Sequence, residues 1–254
     1  MTVPAYLPYY VMAGSVGAVA SLLFGLSRTL KHADWPQSER DQTLWISGAV
    51  LVGWFALATI LAGLNVYQAD PHRLPTLQYG IAVPIVIGGL VLWRSSTVSR
   101  LIDLVPQHGL VAVQLYRALG VIFLILYADG KLPGLFALPA GAGDLAVGLL
   151  APIVALSAFR DQQTSARSVW LWNLLGIADL IVAVGTGFVT SPSVVQPFTF
   201  DPPNELIAVL PLVLIPTFLV PLSILLHLMS LIKLERTTAS LKVSNMRARG
   251  FTHS

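Results

Sequence analysis

Residues 43–66 read TLWISGAVLVGWFALATILAGLNV, twenty-four positions without one charged side chain. A helix crossing roughly 30 Å of bilayer hydrocarbon needs about 20 mostly apolar residues, and this stretch is long enough. Six further stretches qualify, at 8–30, 78–97, 106–128, 136–158, 168–190 and 205–232. The stretch at 106–128 is the most interrupted, by Gln114, Tyr116 and Arg117. The connections are short and leave no room for a soluble domain. The expected fold is an all-α integral membrane protein, a bundle of seven transmembrane helices over residues 1–232. A basic cytoplasmic tail, 233–254, should fray after its first turn.

Composition gives the same answer. Of 254 residues 55% are hydrophobic and 11% charged, with a mean hydropathy of +0.75. A soluble domain carries about 25% charged residues, so too few charges are present to cover this chain in water. Cysteine is absent, which excludes disulfides, thiolate metal sites and a thiol nucleophile. The first apolar stretch is expected to be kept as a helix and not removed as a signal peptide, because residues 1–7 carry no Lys or Arg and the run is too long.

Seven spans put the termini on opposite sides, and the basic residues choose the direction. With the N-terminus outside, twelve of the fifteen Lys and Arg fall inside: Arg28, Lys31, Arg40, Arg94, Arg100, Arg160, Arg167, Lys233, Arg236, Lys242, Arg247 and Arg249. Arg73 and Lys131 fall outside, and Arg117 lies within a span. The net charge of +3 therefore reads as topology and attraction to anionic lipid, not as a nucleic-acid surface. A plasma membrane or bacterial inner membrane is the expected location. Membrane lipids are the expected partners, with a small anionic or apolar ligand beside them. The sequence does not set an oligomeric state.

The chemistry sits in the second half. An ionisable residue inside a membrane costs at least a few kcal/mol and is a functional candidate by default. Arg117 lies about eleven residues from either end of the fourth span, and Gln114 shares its face. Asp179 has nearly the same depth in the sixth span, and Asp144 lies some six to eight residues in from the outer end of the fifth. At about 1.5 Å per residue the two carboxylates differ in depth by several ångströms, within reach of one arginine. One cation facing two carboxylates leaves a negative charge or a proton to spare.

The sequences around the two aspartates are alike, Gly141-Ala-Gly-Asp144-Leu-Ala-Val and Gly176-Ile-Ala-Asp179-Leu-Ile-Val. They run in opposite directions, as an inverted repeat would. Small residues at intervals of four, Ala140, Gly148 and Pro152, mark the face of Asp144 expected to meet another helix. Gly176, Ala183 and Thr186 do the same for Asp179.

In the seventh span His227 has Ser223 and Ser230 on its stripe, and Asn173 of the sixth span should share its depth. The expected polar track runs from Asp144 through Arg117 and Asp179 to Gln114, then to Asn173 and His227. A bis-histidine haem pair through His108 and His227 would need a face turned away from this track, because nine residues at about 100° each separate His108 from Arg117. No cofactor and no metal set are expected.

The segment 130–144 holds two prolines and four glycines and reads as either a re-entrant entry or a tight loop before a helix. The last span holds Pro211, Pro216 and Pro221, and the two in its interior should each remove a hydrogen bond and bend it. No interior lysine exists for a retinal Schiff base, and no phosphate-binding loop is present. Pro-Gln pairs at Pro36 and Pro106 resemble those of PQ-loop transporters. The first lies in a polar loop and the three-helix halves do not match, so the resemblance is set aside.

Three readings follow. The centre binds or translocates a small solute or protons, with Arg117 binding an anionic group or keeping the carboxylates ionised. Alternatively the protein is a membrane-embedded enzyme acting on a lipid or isoprenoid, with Asp as general acid and the first half shaping an apolar cavity. In the third reading the charges only pin helices together.

Overall fold

The computed structural model describes residues 3–161 and 164–250, with side chains described up to residue 240. Among the described residues there is no strand, and seven helices are long and apolar enough to cross a membrane. These are α1 (Leu7–Lys31), α2 (Gln37–Gly63), α3 (Leu77–Arg94), α5 (Gln107–Ala128), α6 (Gly134–Arg160), α7 (Ala166–Thr190) and α8 (Val220–Gly250), the last entered through a π turn at Ile215–Leu219. Between α3 and α5 lies α4 (Ser96–Leu104), a short amphipathic helix that hydropathy alone does not reveal.

Two expectations are corrected, and one open choice is decided. The last helix starts near 215, not 205. Residues 205–214 are apolar but follow an irregular path, with Leu206, Ile207, Leu212 and Val213 at most 3% exposed. Buried against protein, such backbone can find partners in short turns, here from Val209, Ala208 and Val213. Pro211 precedes the helix, and only Pro216 and Pro221 fall within its first turns, where the π turn absorbs the missing donors.

The basic tail does not fray after one turn, since α8 continues to Gly250. Lys242, Arg247, Arg249 and residues 251–254 lie outside the described side chains.

The segment 130–144 is a tight loop, not a re-entrant entry. The amide of Lys131 donates to the Leu126 carbonyl at 2.8 Å and that of Gly130 to Tyr127 at 2.9 Å, with Gly130 at φ +64°. That is a glycine C-cap, and α6 then runs unbroken through Pro139 and Pro152.

The helices form two sets. α5 to α8 pack closely through buried glycine and alanine, with Ala140, Gly141, Val147, Gly148 and Ala151 of α6 facing the neighbours. α1, α2 and α3 pack more loosely beside α5 and α8. At the end holding the C-terminus of α1 and the N-terminus of α2, Arg100 of α4 binds Glu39 of α2 at 2.7 Å, and Arg236 of α8 binds Asp103 of α4 at 2.9 Å. α4 thus fastens the two sets together.

Candidate functional site

The middle of α5 is not α-helical. Residues Val113–Gly120 form a 3-10 helix between two α-helical pieces. Runs longer than three or four residues are uncommon in this conformation. With three residues per turn, positions 114, 117 and 120 align, and Gln114, Arg117 and Gly120 are the residues of this segment that are buried. The loss of the α register frees backbone groups, and the Leu119 carbonyl accepts from Tyr10 Oη of α1 at 2.7 Å.

Close helix contact holds this segment in place. A Cβ added to Gly148 of α6 would overlap the backbone nitrogen of Ala118, and one on Gly120 would meet the Asp144 side chain. Gly143 leaves space for the Asp179 carboxylate, and Gly176 for the His227 ring and Arg117. The stripe of small residues around Asp144 does face protein at Ala140 and Gly148, but Pro152 is exposed. The buried face of α6 drifts instead through Ala151, Ala155 and Ala158.

Arg117 is the hub, 3% exposed. Its Nε and Nη2 each lie 2.8 Å from Asp144 Oδ1, and Nη2 also donates to Asp179 Oδ2. Nη1 donates to the Gly176 carbonyl at 3.2 Å and to His227 Nε2 at 3.1 Å. These contacts occupy all five N–H donors of a guanidinium. Arginine cannot accept, so His227 Nε2 must be unprotonated and the ring is the neutral Nδ1–H form. Nδ1 then donates to Asn173 Oδ1 at 2.9 Å, and Asn173 Nδ2 donates to Ser230 Oγ at 2.8 Å. Gln107 Nε2 donates to the same hydroxyl at 2.6 Å. A connected line therefore runs from the two carboxylates to the start of α5.

This line differs in order from the one read along the sequence. His227 touches Arg117 directly, and Gln114 is off the line. Gln114 Nε2 donates to the Ser223 carbonyl at 3.1 Å, while Tyr116 Oη and Ser223 Oγ lie 2.7 Å apart. Gln107 and Tyr116 were not anticipated as site residues. The one sequence signal for Gln107 was its Pro-Gln pair, which opens α5.

Each carboxylate keeps one oxygen outside these bonds. Beside Asp144 and Gly120 is a void of about 20 Å3, also lined by Tyr116 and Ser223. A water molecule needs about 10–15 Å3 of such space, so the void suits a water and no larger solute. His108 lies elsewhere, edge-on to Phe159 at 5.1 Å between ring centres, and both nitrogens of His227 are engaged. No group of three or more His, Cys, Asp or Glu suited to a metal occurs among the described residues.

The fold and the site define a class: an all-helical bundle of multi-pass type built around a buried Arg–Asp–Asp–His cluster. Residues 74–235 match DUF8737, a domain of unknown function, and the chain belongs to that family. The match starts just before α3 and takes in every residue of the cluster, leaving α1 and α2 outside it. No curated protein and no solved structure matches the chain.

Proposed function

We propose that this is a multi-pass membrane protein, N-terminus outside and C-terminus cytoplasmic, whose Arg117 centre binds and passes protons. Two carboxylates on one guanidinium carry the reading: the second negative charge is surplus to pairing, and a proton is the cheapest way to neutralise it in a low-dielectric interior. Asp144 is the acceptor, because its free Oδ2 lies towards Gly120, which lines the void. Asp179 and Arg117 form the more permanent pair. His227, Asn173, Ser230 and Gln107 continue towards the basic end of the bundle and hold Arg117 in place without carrying the proton. Release from Asp144 to Arg117 is not required: a water in the void carries the proton to and from Oδ2.

Solute binding by Arg117 fits less well, since an anion would have to displace a carboxylate, His227 or the Gly176 carbonyl. The reading as an enzyme on a lipid also lacks support from the geometry, because Asp144 lines only the small void and Asp179 lines neither that void nor the large apolar cavity. The segregation of Lys and Arg to the α1–α2 end supports the orientation, and a bacterial inner or plasma membrane fits that pattern.

The test is proton movement in vesicles reconstituted with the protein and loaded with a pH-sensitive dye. An imposed gradient should collapse faster with wild-type protein than with Asp144→Asn. Equal rates for both proteins and for empty vesicles would leave the centre as a structural clamp.

A further inference from the structure

A second site lies across α5 and α8 from the charged centre. A cavity of about 1210 Å3 opens between α1, α2 and α3 on one side and α5 and α8 on the other, with α4 across its end. It exceeds the roughly 300–1,000 Å3 of pockets that hold drug-sized ligands. Its walls are hydrocarbon, including Leu51, Trp54, Ile87, Val113, Leu226 and Met229. The space reaches the backbone: a Cβ on Gly25 or Gly53, both in the wall, would have nothing within 4 Å.

Arg28, Thr29, Gln42 and Thr43 line the mouth at one end, and Ser21, Ser47, Ser95, Thr97 and His108 are the other polar residues of the lining besides Glu39. Glu39 is there too, but its carboxylate is held by Arg100 at 2.7 Å. Arg100 in turn stacks over Trp35, 4.0 Å from the ring centre. Arg28 rests on Phe24 and has no carboxylate partner among the described residues. The mouth therefore presents one unneutralised cation with amide and hydroxyl donors, beneath a long apolar chamber.

We infer that this cavity holds one anionic phospholipid, its tails in the chamber and its phosphate at Arg28, Gln42 and Thr43. A free phosphate would leave the apolar volume unused, and a zwitterionic lipid would not answer the unpaired charge. Basic pockets between helices on the positive side of a membrane protein suit anionic headgroups. This site shares no residue with the Arg117 centre and does not depend on the proton reading.

The experiment mixes purified protein with vesicles of phosphatidylcholine containing one-fifth phosphatidylglycerol, washes with detergent, and counts retained lipid by native mass spectrometry. Wild type should keep a single phosphatidylglycerol. Gly53→Phe, which fills open space, should reduce retention by roughly tenfold, a change of about 1.4 kcal/mol in affinity. Gly17→Phe, at an exposed helical position outside the cavity wall, should not. Arg28→Gln should retain lipid but lose the preference for the anionic headgroup. Should Gly53→Phe fail to fold, Gly25→Phe serves as the second plug. Retained lipid in the vesicle ratio with wild type, or retention unaffected by either plug, overturns the inference.

Discussion

Arg117 Nη1 donates to His227 Nε2 at 3.1 Å, so a buried cation fixes the protonation and orientation of a buried ring. An imidazolium at this position would set two positive charges in contact with no donor–acceptor match. His227 is therefore a neutral link between Arg117 and Asn173, and its role follows from what Arg117 offers it. Arrangements of this kind are saturated: each donor of Arg117 has a destination, and removing any acceptor leaves a polar group unpaired.

Removing the acceptor is the most direct perturbation. His227→Leu should lower stability by about 1–3 kcal/mol, the cost of an unsatisfied buried donor. His227→Gln, which can still accept from Nη1, should lose less. Thermal unfolding in one detergent ranks the two, and an equal loss in both variants would argue against the Arg117–His227 bond.

Arg117→Ala should be costlier, about 3–5 kcal/mol, because it leaves two carboxylates without a counter-charge. Adding Asp144→Asn or Asp179→Asn to that variant should restore part of the abundance and melting temperature. Strict additivity in the double-mutant cycle would contradict the pairing.

The two carboxylates should behave differently on their own. Asp144→Asn should stay folded while proton movement stops, and Asp179→Asn should lose stability as well. Melting temperature beside dye-reported proton flux separates them. Reversed behaviour would exchange the roles.

Close packing at the 3-10 segment gives another expectation. Gly148→Ala places a methyl on the backbone of Ala118, which cannot move aside, and should cost about 1–3 kcal/mol. Gly89→Ala, with open space around the added Cβ, should be neutral. Matched unfolding curves for both variants would show that α5 and α6 can separate without penalty.

Orientation is open to chemical labelling, since a chain without cysteine has no background. Single cysteines replacing Val3 or Val194 should react with an impermeant thiol reagent added outside intact cells. Cysteines at Thr164 or Ser240 should react only after permeabilisation. The opposite pattern at any two of these positions would falsify the N-out arrangement.

What the sequence determined were the properties that can be read along one dimension. The length of each apolar run located five of the seven spans within three residues at both ends and α2 within six, and the cost of burying charge singled out Arg117, Asp144 and Asp179. Hydropathy failed at residues 205–214 because a buried irregular segment and a buried helix are equally apolar, and nothing local distinguishes them. The tertiary structure alone decided the conformation of Val113–Gly120. Contact of Gly148 with Ala118 and of Gly120 with Asp144 suits a 3-10 turn, which brings Gln114, Arg117 and Gly120 into line as no α-helix would. That change of phase placed His227 on Arg117 and moved Gln114 to Ser223. Gln107 joined from the start of the helix because Ser230 of α8 happens to lie opposite it. Which donor meets which acceptor depends on how helices cross, and crossing is set by side chains far apart in the chain.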